Sequence, residues 1–364
     1  MDSSLLSYAL TAIVSAICGA AAFSVYNSQL YGTYHLELNQ GSPGGSKPVP
    51  EPKVEPEARA KPTPQWMNLG FWKDADSFPE ACEALALRVI RAARCRSYSC
   101  VLDVGFGSGD SLLLFLTHPD VPKPRYLKGI TNVKSHHATA IQRVEDARSA
   151  HWRNKEIVVD LRCGDAIYRS PRRSPACHPL DPQSPLTKPT SIIAIDCAYH
   201  FNTREMFLRQ CYERLDESGN VALADMCLIA PKDSLFSWLK TRAVCLVLGV
   251  PWANMITPEK YRAQLESIGF VEVSFEDISD AVFPGIIAFL RGETLPKHRN
   301  AQTEDVSRSE GKRDQRVVME KGKGGLELGK MWGLMGSVFK MWWKECGGTY
   351  VLVSARKPPI YDRD

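Results

Sequence analysis

The chain of 364 residues is long enough for one large domain with appendages, and 44% apolar residues suffice for a sizeable core, which excludes a wholly disordered protein. A formal charge of +4 with scattered basic residues demands no nucleic acid partner; Arg172-Arg173 and Lys312-Arg313 lie in polar surroundings that suit solvated loops. The 11 cysteines are odd in number and contain no CxxC, so they read as free thiols in a reducing compartment, and no metal site is expected.

In chain order, Leu5 to Tyr26 carries no charge and approaches the roughly 20 apolar residues that cross a bilayer. It reads as an N-terminal membrane anchor over residues 1–30. A cleaved signal peptide is the rival, since small residues at Gly19 to Ala22 suit a cleavage site, but a basic n-region is missing and Asp2 stands there. Residues 31–64 form a proline-rich linker, with prolines at 43, 48, 50, 52, 56, 62 and 64, unable to bury enough surface to fold. A globular domain is expected over 65–364.

Within that domain, Glu80 to Ala93 has helical apolar spacing. Val101 to Val104 is the first strand; it runs into Gly105, Gly107 and Gly109 and then the apolar segment Ser111 to Leu116. Alternate glycines let the backbone approach a ligand where a β-carbon would collide, and the following helix directs free N–H groups into the same space. This is the pattern of a nucleotide-type cofactor pocket. The spacing is G-x-G-x-G, not the dinucleotide G-x-G-x-x-G, and no Gly-Lys-Ser/Thr follows to make a P-loop.

Tyr126 to Ile130 and Ile157 to Leu161 read as the second and third strands, the latter leading into Gly164-Asp165-Ala166. The tract Ser170 to Pro189 reads as a surface excursion. Ser191 to Ile195 is the fourth strand and runs into Asp196-Cys197-Ala198-Tyr199-His200. A helix from Arg204 to Leu215, a fifth strand Val221 to Asp225, a hydrophobic cap over 231–257, a helix Tyr261 to Ile268 and a sixth strand Phe270 to Phe275 follow. Residues 279–348 then read as a long insertion that includes a charged, disordered stretch over 299–325, and Thr349 to Ala355 is the last strand. Strands alternating with helices predict an α/β, Rossmann-like, doubly wound and mostly parallel seven-stranded sheet with a helical cap. Met331, Trp332, Leu334, Met335, Phe339, Trp342 and Trp343, interleaved with Lys330, Lys340 and Lys344, have the spacing of an amphipathic helix that either lies in a lipid headgroup region or covers the sheet.

The stretch Asp103 to Gly109 resembles motif I of the class I S-adenosylmethionine-dependent methyltransferases. Gly129-Ile130-Thr131 is similar to the GIT or GLT of the branch acting on sterols, tocopherols and cyclopropane lipids, with membrane-associated fungal relatives, and Asn68-Leu69-Gly70-Phe71-Trp72 resembles a segment that folds over the cofactor in that branch. The resemblance covers residues 66 to 357. It implies S-adenosyl-L-methionine as cofactor, held by Trp72, Asp103, Gly105, Gly107, Gly109, Thr131, His136, Asp165, Ala166 and Cys197, with Asp165 accepting from the adenine amino group. It further implies methyl transfer to a hydrophobic small molecule or lipid at a membrane, the catalytic domain facing the cytosol at the endoplasmic reticulum, where free cysteines and cofactor supply both agree. His200, just past the fourth strand, is the expected general base, and Tyr199 an orienting or channel-lining residue, unless both are aromatic packing. A secondary-metabolite O- or N-methyltransferase and a catalytically inactive membrane scaffold stay open as alternatives.

Overall fold

The computed structural model describes residues 63–150, 152–174, 177–229, 234–295 and 323–360. The expected anchor, nearly all of the linker, and residues 296–322 of the insertion lie outside them. Among the described residues no helix is long and apolar enough to cross a membrane.

Local signals account for most boundaries. Ser77 and Glu80 form a reciprocal capping box around Pro79, starting α1 (Phe78–Ala92) two residues before the predicted onset. After β1 (Cys100–Val104), α2 (Asp110–Thr117) begins directly at Gly109. β2 (Tyr126–Thr131), α3 (Lys134–Ala150) and β3 (Val158–Cys163) follow, then β4 (Ser191–Ile195) and α4 (Arg204–Arg214), which Thr203 caps. β5 (Asn220–Leu228) runs three residues beyond the expected end because an antiparallel neighbour covers its full length. The cap is one helix, α5 (Leu235–Val247), with a short 3₁₀ turn at Trp252–Asn254. α6 (Pro258–Ile268) has Thr257 as N-cap and ends on left-handed Gly269, before β6 (Val271–Asp277).

The described parts of the long connection expected over 279–348 are largely helical: α7 (Ser279–Leu290) and α8 (Lys323–Lys344) pack against each other before β7 (Gly348–Arg356). The last three residues of the stretch expected to be disordered already belong to α8. Pro284 and Gly285 obscure α7 in the sequence because both are poor helix-interior residues. Gly285 has a packing reason, since a β-carbon there would lie 2.1 Å from Cγ of the Trp72 indole.

The seven strands form one sheet in the order β3-β2-β1-β4-β5-β7-β6, parallel except for β7, which is antiparallel to both neighbours. Alternate residues feed two cores: Val101 and Ile193 face the side covered by α1, α2, α7 and α8, while Leu102 and Ile192 face α4 and α6. Within α8, Phe339 and Trp342 are buried in the first core and Leu334 is exposed. The helix therefore covers the sheet with the side on which those aromatics lie, which removes Trp342 from the interfacial reading. All ten described cysteines are free.

Candidate active site

Chain order jumps from β1 to both β2 and β4, so the sheet splits there and leaves a crevice at the carboxyl ends of the strands. A cavity of about 510 Å³ fills it. That size falls within the roughly 300–1,000 Å³ of small-molecule sites.

The glycine loop forms one wall. Gly105 takes φ +78° while its N–H donates to the Ile130 carbonyl at 2.8 Å, and a β-carbon there would sit 2.6 Å from Cys197 Sγ. Gly107, at φ +53°, has Met67 Cε 2.2 Å from where its β-carbon would be. Both positions combine a left-handed backbone with a close neighbour, so no side chain fits without displacing part of the wall. Across the crevice stand Thr131, Asn132 and His136 after β2, Asp165 and Ala166 after β3, and Asp196, Cys197 and His200 after β4.

Residues 65–68 line the remaining side, held at both ends. At one end Asp110 accepts from the Gln65 N–H at 3.0 Å and from both terminal nitrogens of Arg143 at 2.8 Å, and Arg143 also donates to the Thr63 carbonyl at 2.8 Å. At the other, the Leu69 N–H donates to Asp196 Oδ2 at 2.7 Å. Asp196 Oδ1 accepts from the hydroxyls of Tyr199 (2.8 Å) and Tyr350 (2.6 Å). Burial pushes the Asp196 carboxyl up to about 6 against these hydrogen bonds.

His200 closes the β4 side. Its Nδ1 lies 3.0 Å from the Gly249 carbonyl, an acceptor only, so Nδ1 carries the proton and Nε2 is left as the basic nitrogen. Desolvation by the surrounding protein holds its pKa below the ordinary imidazole value, with the Gly249 bond opposing. A buried network fixes this corner: Asn254 Nδ2 donates to the carbonyls of Tyr199 (2.9 Å) and Phe201 (2.6 Å), while Arg204 donates to Asp225 Oδ2 and the Met226 carbonyl, each at 3.0 Å, and to the Asn254 carbonyl at 2.6 Å.

No family model matches the chain. It is 26% identical over 224 residues to the erythromycin 3''-O-methyltransferase of Saccharopolyspora erythraea, a match covering 60% of this chain and 65% of that protein, under two thirds of its length. Among solved structures, the cyclopropane synthase MmaA2 from Mycobacterium tuberculosis superposes with a TM-score of 0.53 at 12% identity, over 80% of this chain and 90% of that one. A Haemonchus contortus phosphoethanolamine N-methyltransferase in complex with S-adenosyl-L-methionine gives 0.50 at 14% identity, over 76% and 52%. The fold is that of the class I methyltransferases.

Of the residues expected to contact cofactor, Gly105, Gly107, Thr131, His136, Asp165, Ala166 and Cys197 line one cavity, as does His200. Three others, and Tyr199 of the expected catalytic pair, are placed elsewhere. Trp72 lies in the core against Phe78 and Phe289, its indole N–H donating to the Leu69 carbonyl at 2.8 Å, because Gly285 opens a slot in α7 for the ring. Asp103 is buried behind the loop, accepting from Ser111 Oγ at 2.5 Å, and burial pushes its carboxyl up to about 7. Gly109 faces Ala140, where it lets α2 approach α3. Tyr199 is buried and serves Asp196.

Two residues escaped the sequence reading. Asp196 was legible as an acid at the end of β4, beside the switch point. His178 was not: it sits in the proline-rich tract, yet is buried, accepts the Leu180 N–H on Nδ1 at 3.0 Å and donates from Nε2 to the Asp165 carbonyl at 2.9 Å. The excursion thereby folds back to hold the Asp165 turn.

Proposed function

We propose that the protein transfers a methyl group from S-adenosyl-L-methionine to a hydrophobic small molecule or lipid, at a membrane held by the apolar segment Leu5 to Tyr26. The observation that carries the cofactor reading is the glycine loop, where Gly105 and Gly107 line the cavity with left-handed backbone and have no room for a side chain. The cradle fits the group: the loop and residues 65–68 would hold its amino acid portion, Thr131 and Asn132 its ribose, and Asp165 and Ala166 its adenine. When bound, the cofactor supplies a methyl carbon activated by a sulfonium. The chain's own contribution is to align the acceptor, exclude water and take up the acceptor's proton, alignment alone being worth roughly 7–11 kcal/mol. His200 is suited to the last step, since Gly249 fixes its tautomer and desolvation by the surrounding protein holds its pKa below the ordinary imidazole value, which favours the neutral, proton-accepting form.

The likeness to an O-methyltransferase favours a second reading, O-methylation of a secondary metabolite. Incubating the full chain with labelled cofactor and either a lipid extract or a set of hydroxylated small molecules separates the two. Label in neither pool, from a protein that binds the cofactor in a titration, would point to the inactive scaffold.

His200→Ala is expected to lower turnover roughly 100-fold with cofactor affinity unchanged. In the unsubstituted protein the rate rises with pH through a value below 6.5, as His200 loses its proton, and then levels off. Asp196 titrates in the same region. A limb that persists in the His200→Ala profile would therefore assign it to Asp196 and reject the histidine as base. Asp165→Ala should weaken cofactor binding by about 1–3 kcal/mol in calorimetry, as for one lost buried hydrogen bond, and an unchanged affinity would place the adenine elsewhere.

A further inference from the structure

Helix α5 is assembled inside out. Thr241, Val244 and Cys245 are buried against the domain, while Leu235 and Phe236 are 74% and 75% exposed and Trp238, Leu239 and Leu246 are also exposed. Leu235, Leu239, Arg242 and Leu246 follow one another at steps of three and four residues, so they form a single outward stripe. From Leu235 to Leu246, 12 residues, the stripe rises about 17 Å at 1.5 Å per residue. Scattered surface leucines need no explanation, but a contiguous apolar face does.

Within the segment the charge is basic: from Ser234 to Ile256 there are Lys240 and Arg242 and no acidic residue. Lys240 is engaged in an ion pair with Glu345 at 2.9 Å, which leaves Arg242 as the cation beside the stripe. Arg242 lies over the rings of Trp238 and Trp252, at 5.2 and 4.9 Å, which holds a cation beside the apolar stripe. Aromatic and aliphatic side chains flanked by a fixed cation match the boundary between acyl chains and anionic headgroups.

Position supplies an independent argument. The carboxyl end of α5 leads into Gly249, whose carbonyl holds His200, so the stripe ends within one turn of the cavity wall. On the opposite wall, Gln65 lines the cavity where the chain enters from residues 1–62, fastened at Thr63 by Arg143. The apolar segment Leu5 to Tyr26 and the α5 stripe are thus attached to the same end of the sheet. The 36 residues between Tyr26 and Thr63 allow a separation of up to roughly 120 Å at about 3.3 Å per residue, enough chain for both to meet one bilayer.

We infer that the outward face of α5 docks on an anionic lipid bilayer and sets the mouth of the cavity against the membrane surface, where a lipid-soluble acceptor enters from the bilayer side. The inference rests on the membrane reading above and adds to it the surface that orients the domain.

The test uses the full chain in vesicles of phosphatidylcholine and phosphatidylserine carrying a trace of phosphatidylcholine with a diazirine in its acyl chain. After irradiation, labelled peptides are mapped by mass spectrometry. Labelling is expected within 235–246 as well as within 5–26. The α5 label should fall roughly five- to ten-fold in Arg242→Glu and in pure phosphatidylcholine vesicles. It should also disappear in Phe236→Ser/Leu239→Ser while cofactor binding, read by calorimetry, stays unchanged because both side chains are already exposed. Label on 5–26 with none on α5 overturns the inference and leaves the membrane reading standing. Dimers in detergent that the same double substitution dissociates also overturn it, by assigning the stripe to a second copy. Absence of label anywhere defeats the membrane reading itself and this inference with it.

Discussion

Gly107→Val is expected to abolish binding of S-adenosyl-L-methionine in a calorimetric titration, with at least a roughly 100-fold loss, while the sheet stays folded. A β-branched residue is strongly disfavoured at φ +53°, and its β-carbon would fall 2.2 Å from Met67 Cε, so the Met67 side chain must swing aside. Residues 65–68 are pinned at Asp110 and Asp196 and cannot move as a unit without breaking those bonds. The substitution therefore both intrudes on the cavity and disturbs its opposite wall. Gly107→Ala should give an intermediate loss. Gly333→Ala is the control, because nothing lies within 4 Å of its β-carbon and alanine in a helix is favoured over glycine by about 0.5–1 kcal/mol. Near-native affinity in Gly107→Val would remove the glycine loop from the cofactor site.

The largest loss of stability is expected for Arg204→Met, at about 3–5 kcal/mol in equilibrium denaturation. Side chains of Arg204 and Asp225 are 1% and 0% exposed, so methionine strands a carboxylate in the core together with the Asn254 carbonyl. Tyr261 donates its hydroxyl to Asp225 Oδ2 at 3.0 Å, and the guanidinium stacks over its ring at 3.8 Å, so the damage spreads to α6. Adding Asp225→Asn should recover part of the loss by removing the orphaned charge, a non-additivity that a double-mutant cycle reads directly. Turnover should drop as well, since the same network holds Asn254 against the backbone on both sides of His200. A loss below about 1 kcal/mol would mean that the pair carries little of the corner's rigidity.

Much of the site was legible because it is local in the chain. Gly105 and Gly107 signal their role by type and spacing, and Thr131, Asp165 and His200 by position just after apolar runs that could only be strands. The switch point at the carboxyl ends of parallel strands converts those sequence positions into one place in space. The same locality explains the near agreement of element boundaries wherever a capping box, an N-cap threonine or a terminal glycine punctuates the chain.

What stayed hidden depends on partners far away in sequence. Trp72 read as a cofactor residue because nothing near it announces Gly285, more than 200 positions later, as the slot for its ring. Asp103 had the spacing of a ligand, yet whether a carboxylate faces the cavity or a serine on the next helix is a matter of side-chain packing. Asp196 acquires its role from Tyr350 on the last strand and from the Leu69 amide, 154 and 127 residues away. Trp342 and Phe236 illustrate the limit most directly, since both lie in apolar helical patterns and periodicity distinguishes one face of a helix from the other without saying which face meets the protein. The sequence alone determined the succession of strands along the chain, the glycine loop and the end of the sheet where a ligand sits, because backbone geometry and short-range capping decide these. Only the tertiary structure decided which acids and aromatics face the cavity, because burial is a property of the whole packed chain and not of any segment within it.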